Sequence, residues 1–300
     1  MADGNRSNQA KRGETEVTTK QVRGPSDKTH IGRYTVLWLL GEGGEGNVYL
    51  ARDEELQRMV AVKQIGRTMR EAEILIKLKH PMLPVVYELL WDGAWYLAME
   101  YIRGINLREY IERNGYVHEG QACAWTGQLL DIIGYLHTRK PPVIYRDLKP
   151  DNIMVCPDGH LRLVDFGGAA VKSYGMHERG VMAVTQGYSA PEQFGKIEHG
   201  AYADEGSDIY ALGKVMYYMV TGADPAKPPY TTLPIRDYQP FVSDRMERII
   251  RKCIEEDPGQ RYQISEEIRR DLGRCVGRKH RLRRRSFIRI IEKKIWLTEM

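Results

Sequence analysis

Apolar and polar positions change their period several times along this chain, and each change marks an element. Tyr34, Val36, Trp38 and Leu40 fall on every second position, the spacing of one face of a strand. A glycine-rich stretch follows, and then two more β-prone runs, Val48-Tyr49-Leu50 and Val60-Ala61-Val62-Lys63. Between Lys63 and the Leu78-Lys79-His80-Pro81 turn there is room for one helix, expected to begin near Thr68 and unable to continue through Pro81. Further on the period becomes helical. Asn106 suits the N-cap of a helix over Leu107–Glu112, and Gln121–His137 repeats Trp125, Leu129, Ile132, Ile133 and Leu136 along one core-facing stripe. Short apolar pieces, Val143-Ile144 and Leu161-Leu163-Val164, flank a polar segment. Residues Ala211 to Val220 are nearly all apolar but are interrupted by Lys214, so no membrane-spanning helix is expected. The proline-rich stretch from Thr221 to Pro240 lacks a helical period, and any helix there should be reduced. Strands crowd the first third and helices the rest, an α+β arrangement.

Charge divides the chain differently. Residues 1–32 carry six Lys/Arg against four acids and almost no large apolar groups, which reads as a disordered polar leader. Residues 33–273 carry 29 basic against 34 acidic groups, and residues 274–300 carry ten against two. In that last stretch Arg278, Lys279, Arg281 and Arg283 to Arg285 precede Phe287, Ile288, Ile291 and Ile295, which would share one helical face. A basic amphipathic helix over 278–297 fits an anionic membrane surface; the alternatives are a solvated terminal helix packed on the large lobe or on a partner, and a nucleic acid or other acidic partner bound without sequence reading, specific nucleic-acid binding not being expected. Cys123, Cys156, Cys253 and Cys275 are widely spaced, so neither a zinc site nor a disulfide framework is expected. Free thiols and the missing signal-peptide core point to the cytoplasm, with the tail able to reach the inner face of the membrane.

The chemistry concentrates in Tyr145-Arg146-Asp147-Leu148-Lys149-Pro150-Asp151-Asn152, followed thirteen residues later by Asp165-Phe166-Gly167. Acids, a lysine and an asparagine so placed can hold Mg²⁺ on a nucleotide and orient a hydroxyl toward its terminal phosphate. Upstream, Gly41-Glu42-Gly43-Gly44-Glu45-Gly46 lies between two strand patterns, at a hairpin tip. A dinucleotide fold would need a helix at that point. Glycines at a hairpin tip let backbone N–H groups approach phosphate oxygens, and Lys63 on the following strand can reach the α- and β-phosphates.

On these residues the chain resembles the eukaryotic-like serine/threonine protein kinase family, in a bacterial style, over residues 33–273. The resemblance implies a bilobal fold. Residues 33–98 would form a β-rich N-lobe with one regulatory helix, 99–103 a hinge and 104–273 a helical C-lobe, with the leader 1–32 and the tail 274–300 outside. It further implies that Glu71, rather than Glu73, pairs with Lys63, that Met99 is the gatekeeper and that Glu100-Tyr101-Ile102 reads adenine. Adenine would lie between Leu40, Val48 and Ala61 on one side and Met154 on the other, with Gly41, Gly43 and Gly46 over the phosphates. Asn152 and Asp165 would bind Mg²⁺, or Mn²⁺ in its place. Asp147 would take or orient the acceptor proton, Lys149 would neutralise the moving phosphoryl group, and Thr185 would bond to both. Tyr145, Arg146, Phe166, Glu192, Asp208 and Arg261 would be supports, with Arg261 pairing Glu192. The implied reaction is phosphorylation of serine and threonine hydroxyls in protein substrates, autophosphorylation included. A nucleotide-binding pseudokinase is disfavoured because Lys63, Asp147, Asn152 and Asp165 are all present, and a small-molecule kinase because Ala190-Pro191-Glu192 and Thr185 resemble a peptide-docking segment.

Two departures carry expectations of their own. Tyr145 stands where the family usually has histidine, and its ring should still pack behind Phe166. Only seven residues separate Lys63 from Glu71, and between Gly167 and Thr185 the only hydroxyls are Ser173 and Tyr174. Glu178 could give Arg146 a permanent carboxylate partner and the short link would restrict the regulatory helix, so an active state independent of loop phosphorylation is expected; the competing reading is that Ser173 is the regulatory phosphosite and Glu178 points to solvent.

Overall fold

A computed structural model of the chain describes residues 29–43, 46–66, 69–172, 184–194, 203–228, 230, 232 and 234–273. Its first part is a six-stranded antiparallel sheet in the order β1-β2-β3-β4-β6-β5, built from His30–Ile31, Tyr34–Gly43, Gly46–Asp53, Arg58–Ile65, Val86–Trp91 (β5) and Trp95–Glu100 (β6). Register determines what each face carries. Val48 pairs with Lys63, Ala61 with Met99 and Lys63 with Leu97, so these side chains share one face, and it packs into the main core. The opposite face buries Tyr49, Ala51, Val60, Val62, Tyr96 and Ala98 in a separate cluster with Ile31 and Tyr34.

Among the described residues one helix is inserted in the sheet: α1, six residues long, Arg70–Leu75, entered through Met69 in a left-handed conformation at φ 47°. So short a helix cannot hold itself together in water. Burial of Ala72, Ile74 and Leu75 in the main core and the Lys63–Glu71 contact hold it.

The helical part is organised around α4, Glu205–Thr221. Fourteen of its seventeen residues are buried, as expected for a helix apolar on nearly every side. Asp204 caps it by accepting from the Gly206 N–H at 2.8 Å, while the Ser207 hydroxyl accepts from the Asp204 N–H at 3.2 Å. Around it lie α2 (Leu107–Asn114), α3 (Glu119–His137), α5 (Ile235–Tyr238), α6 (Asp244–Cys253) and α7 (Ser265–Leu272). Asn106 caps α2 by accepting from the Glu109 N–H at 2.8 Å. Five short strands, β7 (Ile105–Asn106), β8 (Val143–Ile144), β9 (Ile153–Val155), β10 (Leu161–Leu163) and β11 (Ala170–Val171), form a three-stranded and a two-stranded ladder that frame the polar segments 145–152 and 164–169.

Several expectations need adjusting. The folded body starts before residue 33, because β1 pairs His30 with Thr35 and Ile31 with Tyr34, leaving Ile31 fully buried. Strict alternation along β2 fails at two irregularities, between Val36 and Trp38 and between Leu39 and Gly41. Each adds a residue and resets the phase, so Leu39 packs on the core while Leu40 is 42% exposed. Met99 and Glu100 still pair within β6, so the strand runs two residues into the expected hinge. α1 begins at Arg70; Thr68, the leader 1–28 and the basic tail 274–300 lie outside the described residues.

Candidate active site

The sheet delivers Lys63, 3% exposed, to a point between α1 and the 165–167 segment. Its ammonium lies 2.7 Å from Glu71 Oε2 and 2.6 Å from Asp165 Oδ1. The second Glu71 oxygen, Oε1, accepts from the Phe166 N–H at 3.1 Å, so α1 is tied to the Asp-Phe-Gly segment as well as to the sheet. Burial alone would lower the Lys63 ammonium, but the Glu71 and Asp165 carboxylates outweigh it and raise it above its ordinary value. Burial likewise opposes ionisation of Asp165, and Lys63 overcomes it, holding that carboxyl below its usual range. Glu73 is exposed.

Asp147 is the second centre. Its Oδ1 accepts from the Thr185 hydroxyl at 2.8 Å, and its Oδ2 accepts from the Lys149 ammonium at 2.7 Å and the Asn152 amide at 3.0 Å. Lys149 also lies 3.3 Å from the Thr185 hydroxyl. Thr185 itself is held by its N–H on the Ser189 hydroxyl at 2.9 Å. Asn152 donates a further bond to the Asp147 carbonyl at 2.9 Å, which turns its amide oxygen away from Asp147. Two residues flanking these groups, Arg146 and Asp165, sit at φ 66° and 65°, left-handed backbone that non-glycine residues adopt at a cost the surrounding bonds must offset.

Those bonds are dense. Asp208, fully buried on α4, accepts from the Tyr145 N–H at 2.9 Å, the Arg146 N–H at 2.8 Å and His137 Nε2 at 2.8 Å. The Tyr145 ring meets Phe166 edge-on with centroids 5.0 Å apart, and its hydroxyl donates to the Val164 carbonyl at 2.6 Å. Glu192 and Arg261 form a buried two-pronged pair at 2.7 and 3.0 Å. Arg261 spends its remaining donors on the carbonyls of Glu255, Gly206 and Glu256, so no N–H of the guanidinium is left over.

Of the residues expected to face a nucleotide, Val48, Ala61 and Met99 share the sheet face that carries Lys63, Ile102 is buried and Met154 is half-buried on β9. Leu40 stands apart, exposed at the β2 irregularity. The Glu100 carboxylate accepts from the Val85 N–H at 3.2 Å and from Arg162 at 2.6 Å, so the side chain is already engaged. The hairpin places Gly41 opposite Val48 and Gly43 opposite Gly46; Gly44-Glu45 lie outside the described residues. Gly46 has φ 132°, and a Cβ there would lie 2.2 Å from the Gln64 carbonyl oxygen. Only glycine fits. The expectation for Ser173, Tyr174 and Glu178 also falls outside the described residues.

Sequence reasoning missed His137 as a brace for Asp208, and it missed a cluster of Arg108, Asp151, Asp224 and Tyr188 beside Asp147. Nothing in their spacing signals that they meet.

Comparison with known proteins places this geometry in context. The family model described as protein kinase domain matches residues 34–285. The chain is 34% identical to the serine/threonine-protein kinase PrkC of Bacillus subtilis, over 80% of this chain and 40% of that protein. A probable serine/threonine-protein kinase of Streptomyces coelicolor is 31% identical over 82% of this chain and 40% of its own length. The serine/threonine-protein kinase pkn3 of Myxococcus xanthus is 29% identical over 84% of this chain and 52% of its own length. The chain therefore spans about half or less of the curated relatives it matches.

Proposed function

The chain belongs to the protein kinase domain family, and from that premise we propose that it transfers the terminal phosphoryl group of ATP to serine and threonine hydroxyls of protein substrates, itself included. One observation carries the reading: Lys63 lies between Glu71 and Asp165, and Asp147 between Lys149 and Thr185, the two arrangements that phosphoryl transfer would require.

The family uses ATP and a divalent cation. Asn152 and Asp165 would hold the cation, and the donors fit: the Asn152 amide oxygen is turned from Asp147, and Asp165 commits Oδ1 to Lys63 and the Gly167 N–H while no bond from the described residues engages Oδ2. Among the described residues no cluster of three or more His, Cys, Asp or Glu side chains forms a protein cage. Two hard oxygen donors suit Mg²⁺, which keeps waters and shares substrate phosphates, and Mn²⁺ accepts the same set. The bound cation would supply charge neutralisation at the phosphates. Lys63 would hold the α- and β-phosphates under the Gly41–Gly46 hairpin. Asp147, fixed by three donors, orients the acceptor hydroxyl and takes its proton, and Lys149 lies where negative charge develops. Because the transition state is loose, such positioning and charge placement constitute most of the catalysis.

Incubation with labelled ATP and Mg²⁺, alone and with a generic protein substrate, tests this. Label on protein serine or threonine is expected, and a chelator should abolish it. Label only in small molecules would mean a small-molecule kinase, and nucleotide binding without turnover a pseudokinase.

We also infer that the basic tail, residues 278–297, rests on an anionic surface at the inner membrane face, supported by its ten basic against two acidic groups over 274–300. Among the described residues no helix is long and apolar enough to cross a membrane. Sedimentation with anionic vesicles should fall on deleting 278–300 and on adding salt. A full-length protein that ignores such vesicles at low salt removes this inference.

A further inference from the structure

The cluster that sequence reasoning missed lies beside the acceptor position. Arg108, on the first turn of α2, sets Nε and Nη2 on the two oxygens of Asp151 at 2.8 and 2.9 Å, and bonds Asp224 through Nη1. The other Asp224 oxygen accepts from the Tyr188 hydroxyl at 2.9 Å and the Ala226 N–H at 3.0 Å. Asp151 follows Lys149 by two residues and Tyr188 follows Thr185 by three, and both Lys149 and Thr185 bond Asp147. The group therefore adjoins the place where an acceptor hydroxyl must sit. Gly187 closes this side, with φ 86° and no room for a Cβ, which would lie 2.3 Å from the Pro225 carbonyl oxygen.

Two carboxylates there would ordinarily attract an arginine or lysine of the incoming peptide. Here every oxygen of the pair is already engaged. Asp224 is 4% exposed, and Asp151, although 41% exposed, is held by a fork of parallel bonds, the geometry a guanidinium favours. Arg108 itself is 21% exposed and lies 5.7 Å from the centroid of the Tyr218 ring and 6.0 Å from that of Tyr188. A substrate cation would have to displace a partner already in place.

We propose that Arg108 permanently occupies a cation subsite beside the acceptor hydroxyl, so that this enzyme gains no preference for basic residues before its serine or threonine. The proposal rests on the protein-kinase reading above.

Peptides sharing one acceptor, with arginine or glutamine at each of the three positions before it, provide the test. Wild-type kcat/KM should differ by less than about threefold between them. Arg108→Leu combined with Asp224→Asn frees Asp151 and removes the buried carboxylate with its partner, so no unpaired charge is left inside, and an amide oxygen can still accept from Tyr188. In that variant the arginine peptides should gain about tenfold over the glutamine peptides, through KM for peptide, with KM for ATP unchanged. Adding Asp151→Asn should erase the gain, and Arg108→Lys should keep the wild-type ratio. A wild type that already prefers arginine about tenfold, or a double variant with an unchanged ratio, overturns the proposal. Should the double variant not fold, Asp151→Asn alone decides: it should leave the wild-type ratio intact, and a lost preference for arginine would mean that Asp151 was open to substrate. Failure of the kinase reading looks different, since no peptide would then be labelled.

Discussion

Among the described residues two lysines are almost wholly buried, Lys63 at 3% exposure in the sheet and Lys214 at 6% in α4, and their surroundings differ in kind. Lys63 touches two carboxylates, at 2.7 and 2.6 Å. Lys214 makes no hydrogen bond or ion pair among the described residues, and its ammonium lies 5.3 Å from the centroid of the Tyr210 ring. Burial acts on both in the same direction, yet the outcomes are opposite: Lys63 is raised above its ordinary value, whereas Lys214 is lowered to about 8 because Glu256 compensates too little. A buried charge is therefore informative through its partners rather than its depth. Lys63 has two carboxylates against its own single charge, and they keep it protonated despite its burial. Lys214 is a cost that the packing of α4 tolerates.

The sharpest way to break this contrast is to remove each ammonium in turn. Lys63→Met should stay folded but lower phosphotransfer by at least ~10²-fold, and Asp147→Asn should do the same on the acceptor side. Lys63→Met also leaves Glu71 and Asp165 facing each other without a cation, so its melting temperature should drop at neutral pH. Wild-type turnover in either variant would remove the site assignment, and a more stable Lys63→Met protein would erase the distinction between the two lysines.

Lys214→Met should act in the opposite sense, raising stability and leaving activity alone. Between about 8 and the ordinary value of 10.5 the unfolded chain holds a proton that the folded protein has lost, so wild-type stability rises with pH across that window. Below it the full cost of the buried charge is present, with an upper bound of about 3 kcal/mol from the size of the shift. The stabilisation by Lys214→Met should therefore be greatest at neutral pH and shrink as pH approaches 10, the ordinary lysine range. Urea melts at several pH values measure it. A variant less stable than wild type at pH 7 would mean that the ammonium has a partner after all.

How far these features were legible in the sequence depends on whether their cause is local. Lys63, the 145–152 run and Asp165 are readable because identity and order carry the chemistry, and the Asn106 cap because its partner is only three residues away. The burial of Lys214 was not readable. A single lysine in an apolar run looks like one polar face, and only the packing around α4 shows that the helix has none. The irregularities of β2 escape for a related reason, since a strand's phase is fixed by its partner rather than by its own residues. β1 is two residues long, and its existence depends on pairing with β2. The Arg108 cluster joins groups 43 and 116 residues apart, each unremarkable alone.

The smallest effect tests whether the Tyr210 ring serves Lys214 as a weak substitute for a carboxylate. The ring also faces Arg261 at 4.9 Å, but that guanidinium already has a hydrogen-bond acceptor for every donor, so the ring adds little to it. Lys214 has no such bonds, and the electron-rich face should matter more to it. Tyr210→Leu should destabilise the wild type more than it destabilises Lys214→Met, because the lost packing is common to both backgrounds while the ring–ammonium attraction exists only in the first. The difference should be about 1–2 kcal/mol, between the size of an exposed cation–π contact and that of a desolvated one. A coupling near zero would mean that solvent alone serves the ammonium. A coupling well above about 2 kcal/mol would mean that the ring stabilises this lysine far beyond an ordinary contact of its kind, and the contrast with Lys63 would no longer hold.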